Sequence, residues 1–409
     1  MTLRKPWLRS LGVTASSRDD SHRVDRRRRL LRRGRRRQIG LVVLACLLAP
    51  VVYSYVTTMS QPSSLPLSVR SIEWVRANHG AWLVDTVEHY WYSWTAPSPG
   101  GPPLKSLPAV GLSAKKRPRV HAKSVPSYQP PRIAPVLRPA LPGEGVWQAT
   151  GWTVRGGPPL LVTTFRPDPV YPRVVAYVAW IDHTRTQLGL YPGRYEPPGA
   201  SPRGPMEVPP GQRYRLLATF NSGFTYGDGH GGFAVDGRTV KPLQDGIGTL
   251  VAYRDGHVDI VSWKGRSTIP PWLVLARQNL PLIVDGGKPN PALDESNRWG
   301  DTLGSAVRVW RSGVGIDRHG NLIYAAADLQ TVKTLAALLI HAGAVRAIEL
   351  DINPEWPSFI TYSSPGALDP IKLVPNYQQS ATRYLTPDDR DFFAVYTRLA
   401  GATGFVPFR

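Results

Sequence analysis

Acidic and amide side chains recur at every second position in one stretch of this sequence. Residues 344–356 contain Glu349, Asp351, Asn353 and Glu355. Because successive side chains of a β-strand point to opposite faces, this spacing places all four on one face. Carboxylates beside a buried strand need polar partners or a cleft. The segment is therefore predicted to be a strand that presents carboxylates, a suitable place for the cleavage of glycosidic bonds.

Three other segments carry candidate polar groups, two of them where an apolar run ends. Residues 219–224 end a predicted strand with Asn221, which can orient a sugar hydroxyl, and Gly223, which allows close backbone approach. Residues 282–287 end in Asp285 and two glycines, and residues 308–315 carry arginines whose planar guanidinium suits a phosphate. The predicted catalytic residues are Asp351, Glu349 and Arg311, and the predicted substrate-binding residues are Asn221, Ser222, Gly223, Asp285, Ser312, Asn353 and Glu355.

Each of these segments also has an ordinary structural interpretation. Asn-Ser-Gly and Asp-Gly-Gly are common turn sequences, and an isolated arginine is most often a solvated or salt-bridged surface residue. The pair Glu349 and Asp351 is harder to explain in this way, because it alternates with apolar residues that predict one buried face, namely Ile348, Leu350 and Ile352.

The order of these segments resembles the phosphodiester glycosidase domain family. The resemblance covers about residues 213–398 and rests on order and spacing. It implies a hydrolase that releases a sugar from a sugar-phosphate diester, with polar site residues at Asn221, Arg311, Ser312 and Asp351. The matching features are Asn-x-Gly-Phe at 221–224, a strand ending at Asp285-Gly286, Arg-Ser-Gly-Val-Gly-Ile-Asp at 311–317 with a turn glycine at Gly320, and a helix followed by a strand ending at Leu350-Asp351.

One segment departs from the family pattern. The family usually follows its Leu-Asp with glycines and a serine, whereas residues 352–356 read Ile-Asn-Pro-Glu-Trp. A loop with a proline and a tryptophan cannot offer a substrate the same close backbone approach. The resemblance therefore does not extend to the family's substrate in this loop, and activity is not implied by it there.

The chemistry needs few groups. A phosphate is already ionised at neutral pH, so its departure needs less general-acid help than in an ordinary glycosidase. An arginine must hold the phosphate, a carboxylate must attack the anomeric carbon or activate water, and hydrogen-bonding groups must hold the sugar. Arg311 is predicted for the first role, Asp351 or Glu349 for the second, and Asn221 and Asn353 for the third. Same-face neighbours on a strand lie about 6.5 to 7 Å apart, so retaining and inverting mechanisms both stay open.

Metal dependence is the open alternative. Asp285, Asp351, Asn353 and Glu355 carry oxygen ligands of the kind that Ca²⁺ and Mg²⁺ prefer. No EF-hand spacing is present, so no metal or other cofactor is predicted to be required.

The elements that position these residues are mainly short strands. Residues 248–263 and 313–327 predict hairpins with turns at Asp255-Gly256 and His319-Gly320. One helix is predicted from an Asp328 cap to a Gly343 stop. The pattern is typical of an α+β domain with mixed or antiparallel sheets and few helices, extending over residues 145–409.

The N-terminal part predicts a membrane anchor. Residues 1–38 form a basic tail, and the uncharged run 39–59 is about 30 Å long as a helix, which matches a bilayer core. The arginines should stay cytoplasmic and the C-terminal domain extracytoplasmic. A cleaved signal peptide fits less well, because the basic leader is long and no small-residue cleavage site follows. Cys46 lies in the span, so the exported part has no disulfide.

Residues 60–144 are predicted to connect the anchor to the domain. Residues 71–94 predict amphipathic helices that either lie on the headgroups or pack on the main domain. The proline-rich stretch 96–142 is predicted to be a solvated tether, and its basic residues are candidates for contact with anionic wall polymers. These basic residues are Lys115, Lys116, Arg117, Arg119 and Lys123.

The charge distribution argues against nucleic acid as a partner. Of 50 Lys and Arg residues, 24 lie before residue 146, together with only seven of the 29 Asp and Glu residues, so the predicted domain is nearly balanced. The sequence predicts a single-pass membrane protein, and the family resemblance implies that it is bacterial, with the membrane and an envelope glycan or sugar-phosphate substrate as its partners. The alternative is a non-catalytic protein of the same fold that binds envelope polysaccharide or a partner.

Overall fold

The computed structural model divides the chain into two compact units, Met1–Gln61 and Pro62–Arg409. In the first unit the described part is one helix, α1 (Ser17–Ser60). Among the described residues, its stretch Arg35–Ser60 is long and apolar enough to cross a membrane. The structure describes residues 17–95, 98–102, 104–108, 110, 128–198, 204–227, 229, 231–295, 298–300, 307–375 and 379–399, with the backbone alone for 17–34.

The second unit contains three α-helices and 18 strands within its described residues. The helices are α2 (Leu67–Val75), α3 (Ala81–Trp94) and α4 (Val332–His341), with a π-type turn at Arg76–Gly80 and 3₁₀ turns at Pro210–Arg215 and Pro291–Asp294. The strands are β1 (Gln148–Ala149), β2 (Leu160–Phe165), β3 (Ala176–Ile181), β4 (Thr186–Tyr191), β5 (Leu216–Asn221), β6 (Phe233–Val235), β7 (Arg238–Lys241), β8 (Gly248–Tyr253), β9 (Val258–Ser262), β10 (Leu273–Gln278), β11 (Val284–Asp285), β12 (Lys288–Pro289), β13 (Val309–Asp317), β14 (Leu322–Gln330), β15 (Ala344–Glu349), β16 (Phe359–Ser364), β17 (Leu368–Lys372) and β18 (Phe392–Thr397).

The strands form three antiparallel sheets, which confirms the α+β prediction. The first has the order β1-β2-β3-β14-β13-β15-β11-β12, the second β7-β6-β10-β8-β9 and the third β17-β16-β5-β18-β4. Antiparallel pairing lets strands that are distant in sequence lie side by side, as β5 and β18 do. The core is shared by all three sheets.

An aromatic cluster fixes the end of β5. Phe220 stacks against Phe393 with ring centroids 5.1 Å apart and against Phe359 at 5.8 Å, and Tyr324 lies 5.0 Å from Phe359. All four rings are fully buried. Burial of each phenylalanine contributes about 1.5 to 3 kcal/mol, so this cluster holds four strands together directly beside Asn221.

Helix α4 covers the other face of the first sheet, and glycine permits the close contact. A Cβ at Gly313 would lie 2.9 Å from the Leu339 side chain and 3.0 Å from the Ile348 carbonyl oxygen. The small residue after Arg311-Ser312 therefore lets α4 and β15 approach β13.

Both predicted hairpins are present. Strands β8 and β9 pair across a turn with Gly256 at φ 89°, and β13 and β14 pair across a turn with Gly320 at φ 82°. Positive φ at these positions is the reason for glycine.

The predicted start of the helix is wrong. Strand β14 continues to Gln330, so Asp328 lies in a strand, and α4 begins after a Thr331 cap. Thr331 and Thr334 each bond the other's backbone N–H, which satisfies two donors at the helix start. Hydrophobic periodicity could not distinguish the last residues of a buried strand from the first turn of the helix.

The strand predicted over residues 344–356 ends at Glu349. The Asp351 carboxylate accepts the backbone N–H of Asn353 at 3.0 Å, and the Asn353 side chain accepts that of Glu355 at 3.2 Å. These local bonds, together with Pro354, curl the chain away from the sheet. The acids beyond Glu349 therefore lie in a loop.

The described parts of the proline-rich stretch pack on the domain. Leu104, Leu107 and Val110 contact the main core, and Ile133 is buried in the core below α4. The predicted solvated tether does not describe these residues, because their apolar side chains pack against the core. Lys115, Lys116, Arg117, Arg119 and Lys123 lie outside the described residues.

Candidate functional site

The ends of β5, β13 and β15 meet in one hydrogen-bonded cluster. The Asn221 amide donates to the Ser312 hydroxyl at 3.0 Å, and that hydroxyl donates to the Asp351 backbone carbonyl at 2.8 Å. The Asp351 N–H donates to the Ser222 carbonyl at 3.2 Å, and the Tyr324 hydroxyl donates to Asn221 at 2.9 Å. The structure thus brings these predicted residues together, and their hydrogen bonds fix the backbone that carries Asp351.

The Asp351 carboxylate forms a buried ion pair with Arg390. The two groups are 2.5 Å apart, and both residues are at least nine-tenths buried. Burial alone would lower the pKa of Arg390, but the charges of Asp351, Glu73 and Glu196 raise it above its usual range. The Arg390 guanidinium therefore attracts three carboxylates, in a buried place where solvent screens charges weakly.

A second arginine lies in the same region. Arg277 is fully buried, pairs with Asp391 at 2.6 Å and donates to the Phe224 carbonyl at 2.8 Å. Glu196 accepts the Tyr226 N–H at 3.0 Å. Burial raises the pKa of Glu196, and the charge of Arg390 opposes this increase. The arrangement has the cations and carboxylates needed to bind an anionic sugar derivative.

Helix α2 lies beside this cluster. The Arg390 guanidinium lies 4.7 Å from the centre of the Trp356 ring, and Leu65 and Val69 pack on the same tryptophan. Burial raises the pKa of Glu73 on α2, and attraction to Arg390 opposes the increase. One wall of the site therefore comes from the segment just after α1.

Arg311 and Glu349 form an internal pair. They lie 2.7 Å apart and both are fully buried, and Arg311 also donates to the backbone carbonyls of Gln330 and Val307. The Glu349 Oε2 atom has no hydrogen-bond partner among the described residues, and burial raises the pKa of Glu349 to about 7. Their catalytic roles stay predictions, but the geometry gives them a structural role under the site.

The other predicted residues differ in their positions. Gly223 faces Asn279, since a Cβ there would lie 2.6 Å from the Asn279 Cγ. Asn353 and Glu355 are half-buried in the loop, and burial followed by repulsion from Glu88 raises the pKa of Glu355.

Asp285 lies apart from the cluster and is exposed. Strand β11 runs antiparallel to β15, and Val284 pairs with Ala347. Asp285 therefore points towards the start of β15, whereas Asp351 follows its end. The sequence pattern could not reveal this, because strand direction depends on the sheet.

Sequence reasoning missed Arg390, Arg277, Glu196 and Asp391. Glu196 and Arg277 carry no local signal. For Arg390 and Asp391 the sequence did carry a signal, the charged run Asp-Asp-Arg-Asp at 388–391 directly before the apolar strand β18. Charges at the mouth of a buried strand need partners, and here the partners come from β10 and from the loop after β15.

Metal ligands are not gathered here. Over the part of the chain that the structure describes, no group of three His, Cys, Asp or Glu residues is placed to hold a metal ion. The cluster instead pairs each carboxylate with an arginine or with backbone N–H groups.

The family profile named Phosphodiester glycosidase matches residues 214–351, about a third of the chain. The match begins just before β5 and ends at Asp351, so it contains Asn221, Ser312 and the Asp351 loop start but not Arg390. Over these residues the chain is similar to the phosphodiester glycosidase family. No curated protein sequence matches the chain.

Solved structures show weak likenesses. The catalytic domain of zebrafish N-acetylglucosamine-1-phosphodiester alpha-N-acetylglucosaminidase, auto-inhibited by its pro-peptide, is 18% identical, with a TM-score of 0.41, over 59% of this chain and 82% of that one. A hypothetical protein from Synechocystis is 13% identical, with a TM-score of 0.29, over 58% of this chain and 64% of that one. A protein of Burkholderia pseudomallei K96243 described as exported is 12% identical, with a TM-score of 0.37, over 59% and 75%.

Proposed function

We propose that this protein is a membrane-anchored glycosidase that hydrolyses a sugar-phosphate diester of cell-envelope glycans on the extracytoplasmic side. The observation that carries the proposal is the buried Asp351–Arg390 pair, 2.5 Å apart, at the end of the phosphodiester glycosidase match. A carboxylate and a guanidinium in contact are the two groups that this reaction needs most.

Arg390 takes the role of phosphate clamp in this proposal. Arg311 was predicted for it, but Arg311 is fully buried and bonded to Glu349 and backbone carbonyls. Arg390 retains a small exposed fraction and lies over the Trp356 ring. Its guanidinium can share two charge-assisted bonds with a phosphate while the ring holds its plane.

Asp351 acts on the anomeric carbon, either directly or through a water. The bond between this carbon and the phosphate oxygen breaks, and its electron pair goes to the departing phosphate. In the direct route an oxygen of Asp351 forms the new bond, and a water molecule then displaces it, which gives the sugar hydroxyl and releases a proton to solvent. In the other route the oxygen of a water molecule forms the new bond, and Asp351 accepts the proton of that water. A phosphate that draws Arg390 towards itself weakens the Asp351–Arg390 contact, which leaves the carboxylate more reactive.

The envelope location rests on the N-terminal unit. Helix α1 contains a stretch long and apolar enough to span a bilayer, and the arginines before it favour a cytoplasmic N-terminus. The domain would then face outward, where glycans and their phosphodiester linkages occur.

The test uses the full chain in mild detergent. The substrates are methyl phosphodiesters of α-linked N-acetylglucosamine, glucose and mannose, and the readout is free sugar. Asp351→Asn should lower kcat/KM by about 100-fold or more, because it removes the reacting carboxylate and keeps its shape. Asp285→Asn is the matched control, because Asp285 is exposed and lies towards the other end of β15. It should retain full activity.

Two outcomes would contradict the proposal. An equal loss of kcat/KM in Asp351→Asn and Asp285→Asn would mean that the active site is not centred on Asp351. If the wild-type chain releases no sugar from any diester but binds isolated envelope polysaccharide, the alternative of a non-catalytic binding protein is favoured instead.

A further inference from the structure

The outer face of α3 is apolar, aromatic and exposed. Six large side chains on this helix are between 48% and 85% exposed, although α3 belongs to the same compact unit as the domain. The five from Leu83 to Trp94 recur at three- and four-residue steps, so they share one side of the helix, and Trp82 lies at its edge. The six side chains are Trp82, Leu83, Val87, Tyr90, Trp91 and Trp94.

The opposite face of α3 is attached to the protein. Arg76 forms ion pairs with Asp85 at 3.1 Å and Glu88 at 2.6 Å, and also approaches Glu73 of α2 at 3.7 Å. Tyr92 packs with a small apolar cluster at the edge of the candidate site. The acidic residues of α3 are thus all turned inward, and the outer face carries no Asp, Glu, Lys or Arg.

We infer that this face lies in the headgroup region of a lipid bilayer. Tryptophan and tyrosine have an apolar body and a polar edge, and for this reason they concentrate at membrane interfaces. A helix of 14 residues is about 21 Å long and can lie flat, with its apolar face roughly 5 to 10 Å deep. A protein partner is the less favoured occupant, because the chain itself supplies a candidate membrane span that ends 20 residues before α3.

The absence of basic residues on this face makes the inference more specific. Docking must depend on the aromatic side chains and not on attraction to anionic lipids. Because α2 connects α3 to the Trp356 region, docking would hold the candidate site near the bilayer surface. A site held near the bilayer would favour substrates attached to the membrane or close to it. This statement about substrates rests on the proposed function, whereas the docking of α3 does not.

Site-directed spin labelling of the full chain tests the inference. Cys46→Ser removes the native cysteine, and a nitroxide is attached at Val87→Cys. Lys264→Cys is the matched control, because Lys264 is exposed and lies in the loop between β9 and β10, outside α3. The proteins are placed in phosphatidylcholine nanodiscs, in which both bilayer faces are open to a water-soluble nickel relaxation agent. The ratio of oxygen to nickel accessibility should be severalfold higher at 87 than at 264.

Two further measurements separate the alternatives. The ratio at 87 should stay the same when phosphatidylglycerol is added, and it should fall when Trp91 and Trp94 are both replaced by Ala. Trp272→Ala, which removes an exposed tryptophan elsewhere, should leave it unchanged. Equal ratios at 87 and 264 would overturn the inference. So would dipolar broadening between labels at 87, which would mean that a second copy of the chain covers α3.

Discussion

Replacing Glu349 by Gln should remove one pH dependence of the free energy of unfolding, which arises from the buried carboxyl group of the Arg311–Glu349 pair. Glu349 is fully buried, and one of its carboxylate oxygens finds no hydrogen-bond partner among the described residues. Burial is the main cause that raises its pKa, with attraction to Arg311 opposing it. Gln has the shape of the protonated acid but cannot ionise.

The magnitude follows from the pKa. A change from the ordinary value of 4.5 to about 7 corresponds to about 3 kcal/mol. Because the pKa is higher in the folded state, the folded protein binds more protons between these pH values. The stabilisation is complete below pH 4.5 and is lost as the pH rises through about 7. As the pH rises from 4.5 to about 8, the free energy of unfolding of Glu349→Gln should therefore increase by about 3 kcal/mol relative to that of wild type.

Urea unfolding followed by tryptophan fluorescence, in mild detergent and across this pH range, measures the effect. Other buried acids, such as Asp389, whose pKa burial raises to about 6, contribute equally to both proteins and cancel in the difference. Glu295→Gln, at an exposed glutamate, is the matched control and should follow wild type at all pH values. Parallel curves for Glu349→Gln and wild type would refute the reasoning, since they would mean that Glu349 has the same pKa in both states.

Two further predictions concern the elements that support the site. Gly223→Ala should destabilise the protein by about 1 to 3 kcal/mol, because its Cβ would lie 2.6 Å from the Asn279 Cγ; Gly227→Ala, where the nearest atom is 3.6 Å away, should be nearly neutral, and similar urea midpoints would contradict this. Thr331→Ala should lower the free energy of unfolding by about 1 kcal/mol, because it removes the cap of α4. Urea unfolding measures this change, and Thr268→Ala, at an exposed threonine, is the control. Hydrogen exchange of the α4 amides should also rise sharply in Thr331→Ala. An unchanged exchange rate would contradict the capping role.

The sequence by itself determined the class of fold and several of its elements. Positive-φ turns need glycine, so the hairpins at Gly256 and Gly320 could be located from residue type alone. The long apolar run after the arginines marked the helix that ends at Ser60. Asn221, Ser312 and Asp351 were selected from a chain order that resembles one family, and the structure brings them into one hydrogen-bonded cluster.

The tertiary structure decided which charges meet. Asp351 pairs with Arg390, 39 residues further on, and Arg311 pairs inward with Glu349, so the predicted clamp and the clamp of the proposed function are different arginines. Asp285, which the same reasoning grouped with Asp351, lies towards the opposite end of β15. Local patterns report the face of a strand, but partners across a sheet depend on register and strand direction, which only long-range packing sets.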